Sequence, residues 1–261
     1  MSEIVQYSLE SNVAQITLNR PEALNALNGA LLQQLTKNVT DAANDQNVRA
    51  LIITGTGRAF SSGGDLRGVG TDDPLDPLKN AEQLRRYEEI SLLLSEMPKP
   101  TIAAINGVAA GAGFSIALAT DFRIASKEAK FLTAFAKAGL TGDFGGTWLL
   151  ERIVGTTKAK ELYLLGNTIS ANEAEELGIV NQICSGEELP QKAQTLAKKL
   201  AAGPTDAYAR IKRNFAYGSN HSLSDLLAFE AGNMIAASKT EDFRNAVEAF
   251  LDKREPDFKG R

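Results

Sequence analysis

Two glycine-bearing turns hold the first residues whose types and spacing could do chemistry. One is GVAAGAGFSIALATD, residues 107–121, and the other is GRAFSSGGDLRG, residues 57–68. Each follows a short apolar stretch, TIAAI at 101–105 or LIITG at 51–55, that reads as a buried strand. The segment Gly111-Ala112-Gly113-Phe114-Ser115-Ile116-Ala117 satisfies the loose pattern G-x-G-x-x-[GA] of a dinucleotide turn. It lies past residue 100 instead of at the first strand-to-helix turn, and Asp121 comes too early to serve as the ribose-binding acid. The dinucleotide reading fails on both counts. Taken as a pair, the two turns could aim two backbone N–H groups at one oxygen, the arrangement that stabilises an oxyanion. On the residues alone that reading stands level with another, in which the glycines only permit tight turns and close packing.

Other chemistries are poorly supplied. His221 is the only histidine among 261 residues, so a multi-histidine metal site is excluded and a Ser-His-Asp triad has one candidate base. It sits in GSNHSLSD, where a surface role next to a helix cap is expected. Ser115 is not in a G-x-S-x-G elbow, which leaves a hydrolase triad without support. Cys184, the single cysteine, has acidic neighbours and no histidine partner, and reads as a buried bystander. No metal and no cofactor are expected.

The elements that must position the turns alternate in type. Strand patterns run over 4–10, 13–19 and 49–55, with an amphipathic helix between the second and third. Asn28 can cap that helix, and Leu31, Leu35, Val39 and Ala42 share one face. TDDPLDPLKN at 71–80 reads as a loop, followed by a helix that ends before Pro98 and Pro100. Residues 101–105 and 121–126 read as strands, and the chain from 146 onward as almost wholly helical. Ser170 with Glu173 forms a capping-box pattern, Gly203-Pro204 punctuates a helix start, and Ser222 and Thr240 are cap candidates. This is α/β layering that grades into helices, with a core over 1–199 and a helical region over 200–261.

Composition narrows the partners. A hydrophobic share of 43% supplies a sizeable core, and a net charge of −4 argues against a broad nucleic-acid footprint. No apolar run approaches the ~20 residues needed to span a bilayer. MSEIVQYSLE reads as a strand instead of a signal peptide, so a cytoplasmic protein without a membrane partner is expected.

Five motifs together resemble one family. NRPEALNAL (19–27), AFSSGGDL (59–66), INGVAAGAGFSIALATDFRIAS (105–126), GLTGDFGGTWLLERIVG (139–155) and AFLDKREPDF (249–258) are similar, in order and spacing, to the enoyl-CoA hydratase/isomerase (crotonase) superfamily. The resemblance covers essentially the whole chain. It implies a spiral of repeated β-β-α units with a C-terminal helical region used in trimerisation, and acyl-CoA thioester substrates, with coenzyme A entering only as part of the substrate. It implies an oxyanion hole made by the N–H groups of Gly64 and Ala112. Main-chain groups around Ala23, Leu24, Ala26 and Ser62, with Asp65 and Leu66 beside them, would hold adenine and pantetheine. Lys253 of a neighbouring subunit would meet the CoA phosphates, in a trimer or a dimer of trimers.

The chain departs from the hydratases of that family, which use two glutamates. Ser115 and Phe135 stand at those positions. One carboxylate, Asp143, stands at a third family position, an arrangement similar to single-acid members: enoyl- and dienoyl-CoA isomerases, the ring-epoxide isomerase of phenylacetyl-CoA breakdown, and 4-chlorobenzoyl-CoA dehalogenase. The last also recruits a histidine, which His221 is badly placed to supply. One fixed carboxylate suits proton abstraction beside a polarised thioester and return of that proton elsewhere. Phe135, Leu140, Phe144 and Trp148 are expected to form an apolar pocket around Asp143 and raise its pKa. The competing expectation is that Asp143 merely caps the helix starting near Gly145 or Gly146.

The leading expectation is an acyl-CoA double-bond isomerase with Asp143 as the shuttling acid/base. Its enzymatic rival is an atypical hydratase or lyase using Asp143 alone, with Glu88 or Glu89 as a possible second acid if their helix borders the site. Asp65 reads as a turn-stabilising residue as much as a ligand-binding one. A non-catalytic RNA-binding member is the alternative of another class; its basic-helix candidates, LKNAEQLRRYEE and QKAQTLAKKL, are acid-laced or short.

Overall fold

A computed structural model describes residues 3–65, 67 and 77–261. Strands β1 (Val5–Glu10) and β2 (Val13–Leu18) form an antiparallel hairpin at the edge of a six-stranded sheet. The sheet continues in parallel through β3 (Ala50–Gly55), β5 (Thr101–Ile105), β7 (Phe122–Ser126) and β10 (Gln182–Cys184). A second sheet is built from β4 (Ala59–Ser61), β6 (Val108–Ala110), β8 (Lys130–Leu132) and β9 (Ile169–Ser170), parallel except for the last pair. Successive strands therefore alternate between sheets: β3 then β4, β5 then β6, β7 then β8. Helices α2 (Pro77–Glu96), α3 (Gly111–Leu118) and α4 (Gly146–Leu165) follow those three pairs. That is a spiral of β-β-α turns.

Side-chain alternation decides what each face of the large sheet covers. Leu51 and Ile53 join the cluster under α1 (Gly29–Asn44), whose Leu31, Leu35, Val39 and Ala42 are all buried. Ala50, Ile52, Ile102 and Ile124 face the other way, against α6 (Leu189–Ala201). Ala193, Ala197 and Ala201 repeat every four residues along α6, and their small size lets the helix lie close to the sheet. Cys184 is buried in this second cluster, and burial pushes its thiol pKa up, away from reactivity.

Caps fall where the residue types put them. Asn28 accepts from Leu31 N, and Ser170 and Glu173 form a complete capping box before α5 (Ala171–Glu176). Ser222 and Thr240 cap α8 (Leu223–Ala237) and α9 (Glu241–Leu251). His221 is exposed beside the first of these caps, its ring stacked on Tyr217 of α7 (Thr205–Gly218) at 3.7 Å. Two expectations are corrected. Pro77 to Asn80 already belong to α2, because a proline is tolerated in a helix's first turn; the rest of the expected loop, 71–76, lies outside the described residues. β9 and β10 also interrupt the stretch expected to be helical after 146.

The C-terminal helices are fastened to the core through partly buried cations. Lys212 Nζ of α7 meets Asp121 Oδ2 at 2.8 Å and donates to the Leu94 and Lys99 carbonyls. Arg49 donates to Thr205 and to the Phe258 and Gly203 carbonyls. Asp242 accepts from the N–H groups of Lys259 and Gly260, drawing the tail back onto α9.

Candidate active site

The two glycine turns meet. β4 and β6 are parallel neighbours, so the turns that leave them sit side by side. A Cβ on Gly63 would come within 2.9 Å of the Ala110 oxygen and 3.5 Å of the Ala112 nitrogen, and one on Gly113 within 2.5 Å of Ser61 Cβ. Gly64 bridges Leu27 through its neighbours: Leu27 N donates to Gly63 O, and Asp65 N to Leu27 O. Its own N–H therefore points away from Leu27. Ala112 is the second residue of α3, where no intrahelical carbonyl reaches an N–H, and the helix has no side-chain cap. Around Gly64 the space is open among the described residues, none of which places an atom within 4 Å of a Cβ built there. Two N–H groups on adjoining turns, that of Gly64 turned from Leu27 and that of Ala112 at a helix N-terminus, are suited to bind a developing negative charge.

The loop carrying Ala23, Leu24 and Ala26 is stitched to the same turn. Leu24 and Asn25 take left-handed conformations (φ 53° and 55°). Buried Asn25 holds the bend by donating to the Thr56 and Ala59 carbonyls and accepting from Arg20 N. Ser62 N donates to Leu24 O at 3.0 Å. Asp65 is clamped between Arg67 and Arg20, and those hydrogen bonds, Arg67's foremost, hold its carboxyl at about 2 despite partial burial. An acid so engaged is a fixed anion tying the two loops, as a turn-stabilising residue must be. Leu66 lies outside the described residues. Lys253 stands at the other end of the chain, in the left-handed residue closing α9 (φ 55°), with its N–H on the Phe250 carbonyl.

Asp143 lies in a turn of unusual backbone: Gly142, Phe144 and Gly145 all have positive φ. It is not the cap of α4. Gly145 occupies that position, and no side chain caps the helix. The Asp143 Oδ1 is buried without a hydrogen-bond partner among the described residues. Burial first, and the charge of Glu88 second, push the carboxyl up to about 6. Phe135 and Phe144 are buried around it, whereas Leu140 and Trp148 are half-exposed in the single chain, Trp148 under the Arg152 guanidinium at 3.5 Å. A cavity of about 350 Å³ opens beside the turn, lined by Glu88, Leu92, Phe144, Trp148 and, from α7 and its C-terminal turn, Ala216 and Asn220.

Ser115 and Phe135 face a residue that sequence reasoning missed. Tyr163 stacks on Phe135, its hydroxyl lies on the same side of Gly146 as the Ser115 oxygen, and desolvation above all raises its pKa to about 12, so it stays protonated. A straight helix would place Tyr163 ~25 Å from Gly146. The non-helical Gly155 (φ 76°, ψ 160°) breaks α4 and returns its second half, so that a Cβ on Gly146 would collide with both the Ser115 and Tyr163 oxygens. No local motif signals that return. Glu88 borders the site and accepts from Phe144 N at 3.1 Å, whereas Glu89 is exposed and faces Arg85.

Comparison with known proteins agrees with this geometry. Residues 8–261 match the enoyl-CoA hydratase/isomerase family. The chain belongs to that family. It is 41% identical to 1,2-epoxyphenylacetyl-CoA isomerase of Escherichia coli (strain K12), over 100% of both chains. It is 40% identical to a probable enoyl-CoA hydratase of Rhodobacter capsulatus, over 98% of both. A crystal structure of a putative enoyl-CoA hydratase from Streptomyces coelicolor A3(2) superposes with a TM-score of 0.95 at 34% identity, covering 99% of this chain and 95% of the other. The fold is the crotonase spiral, and the family's enzymes include both isomerases and hydratases. Among the described residues, no group of three or more His, Cys, Asp and Glu could hold a metal, and no helix is long and apolar enough to cross a membrane.

Proposed function

We propose that this member of the enoyl-CoA hydratase/isomerase family is an acyl-CoA isomerase that moves a double bond, or rearranges a ring-modified acyl group, through a single acid/base, Asp143. One observation carries the reading: the Asp143 carboxyl is partly buried, has an unpartnered oxygen, and is raised to about 6. Such a group takes up and gives back a proton near neutrality, whereas an ordinary carboxylate is too weak a base.

In the proposed step, the Asp143 carboxylate removes a proton from the carbon next to the double bond. The C–H electrons pass through the conjugated system to the thioester oxygen, giving a dienolate. The Gly64 and Ala112 N–H groups meet that charge, each donor typically worth about 3–4 kcal/mol in the transition state. Asp143 then returns its proton to the far carbon and the carbonyl re-forms, with no change of mass. Ala23, Leu24, Ala26, Ser62, Asp65 and Leu66 would hold the CoA portion, with Lys253 of a second copy on its phosphates. Phe135, Leu140, Phe144 and Trp148 would bound the acyl group.

A homotrimer or dimer of trimers fits the helical region, where Phe215, Leu223, Met234 and Phe250 are all more than 60% exposed within one chain. A cytoplasmic setting accords with the unpaired Cys184. Hydration is the second reading, favoured by the approach of Glu88 to Asp143.

Incubation with enoyl-, dienoyl- and ring-epoxide CoA thioesters in D2O, for wild type and Asp143→Asn, separates the readings. Shifted double bonds or carbon-bound deuterium, lost in the folded variant, support the isomerase. Water-added products support the hydratase, and turnover that survives the substitution removes Asp143 from the mechanism.

A further inference from the structure

We propose that Glu88 is the positioning residue for Asp143: its carboxylate holds the 142–145 turn by accepting the Phe144 N–H, and presents a negative charge to the Asp143 carboxyl. The assignment rests on the isomerase reading for its kinetic consequence, and on geometry for its substance. Glu88 projects from α2, more than fifty residues upstream of the turn, and reaches the backbone immediately after the acid at 3.1 Å. The turn needs such a hold. Phe144 is buried at φ 51°, a left-handed conformation that strains a bulky side chain, between Asp143 and the left-handed Gly145. Asp143's own side chain does not fix the turn, because one of its oxygens is unpartnered and it caps nothing.

The electrostatic surroundings isolate the pair. Among the described residues, Glu88 from α2 and the protonated Tyr163 from α4 face Asp143. The adjoining cavity adds Arg85 and Glu96 from α2, Arg85 being engaged with Glu89, whereas its lining from α7 and the C-terminal turn of that helix is the neutral Ala216, Ser219 and Asn220. Arg152 is taken up over Trp148. Of the described charges around Asp143, Glu88 is the one whose removal makes the acid easier to ionise.

Two substitutions separate the two tasks. Glu88→Gln keeps an acceptor for the Phe144 N–H and removes the charge; Glu88→Ala removes both. Each full-length variant is read three ways: hydrogen exchange of the peptide spanning 142–146, titration of 13C-labelled aspartate carboxyls with Asp143→Asn assigning the signal, and kcat and KM across pH on a turned-over thioester. Expected for Gln are wild-type exchange, an Asp143 midpoint moved to lower pH, and a kcat within a few-fold of wild type. Expected for Ala are faster exchange confined to the turn, the same titration shift, and a kcat at least tenfold lower with KM little changed. Exchange and titration do not depend on catalysis, so they decide the proposal even if no thioester is isomerised and the functional reading fails. Wild-type exchange and titration in both variants would overturn the assignment. A Gln variant as inactive as Ala, with the turn still protected, would also overturn it, by making Glu88 a proton carrier.

Discussion

The ring of Phe135 lies parallel to that of Tyr163, with 6.0 Å between centroids and 2° between planes. The Tyr163 hydroxyl also lies beside the Ser115 oxygen, both in the way of a Cβ built on Gly146, so one side chain neighbours both positions where the family resemblance expects a hydratase's glutamates. A carboxylate at 135 would meet aromatic carbon in a buried site. Phe135→Glu is therefore expected to cost about 3 kcal/mol or more and to confer no hydration. Urea unfolding at fixed protein concentration and mass analysis of enoyl-CoA products check this. A stable variant that adds water would mean that a missing acid is all that separates this site from a hydratase.

Activity should follow the ionisation of Asp143. The base form predominates above about pH 6, the value to which burial and Glu88 raise the group. kcat/KM should fall tenfold per unit as the pH drops below that value, and level off above it. Asp143→Asn should lose roughly 10²–10⁴-fold in kcat, the usual contribution of a positioned acid/base. A profile whose acid limb persists in residual Asn activity would assign the limb to another group.

The same shift has a cost in stability. Asp143 titrates at about 6 in the folded chain against a reference of 3.8. A group that holds its proton more tightly when folded supports folding below pH 3.8 and loses that contribution as the pH rises through 6. Asp143→Asn should therefore be more stable than wild type at pH 8, on the order of 1–2 kcal/mol once partial exposure is discounted, and no more stable near pH 3.5. Thermal unfolding at the two pH values decides it. Equal gains at both would point to packing instead of a desolvated charge.

Legibility of these features tracks how locally each is encoded. The face of α1 is read from periodicity because burial acts on every third to fourth residue, and β3 and β5 from unbroken apolar runs because both faces of the sheet are covered. The three-residue strands β4, β6 and β8 are too short to show a period, and two of them are hidden in the glycine turns. Asp143 is visible only through the family register; by residue type alone it is equally a helix cap, and only the structure moves the cap to Gly145. Tyr163 and Glu88 reach the site through a helix break and a long-range approach, which no local pattern records.

Lys212 tests how far the helical region depends on its anchor. Its ammonium is largely buried against Asp121 and two carbonyls, and removing one partner of such a pair leaves the other poorly solvated. Lys212→Met should cost about 2–3 kcal/mol, below the fully buried range because Asp121 keeps some solvent contact. α7 also walls the cavity beside the Asp143 turn, so if the acyl group lies there KM should rise as that helix loosens. Denaturant unfolding and steady-state kinetics read the two effects, and a loss of stability without any change in KM would separate the anchor from the site.

Neighbouring glycines offer the sharpest test of the paired turns. Gly63 has φ 91°, and a Cβ there would press on the Ala110 oxygen, so Gly63→Ala must strain the backbone and part the turns. No described residue approaches the place where a Gly64 Cβ would go, so Gly64→Ala should fold with wild-type stability. That place is where the proposal runs the thioester. Gly64→Ala should therefore lower kcat/KM by about tenfold or more with an unchanged melting temperature. Gly63→Ala should lower both stability and kcat, the latter by ~10²-fold if one N–H donor is lost. Full activity in Gly64→Ala would show that the substrate does not pass over this turn, and the oxyanion would have to be sought at the N-terminus of α3 alone.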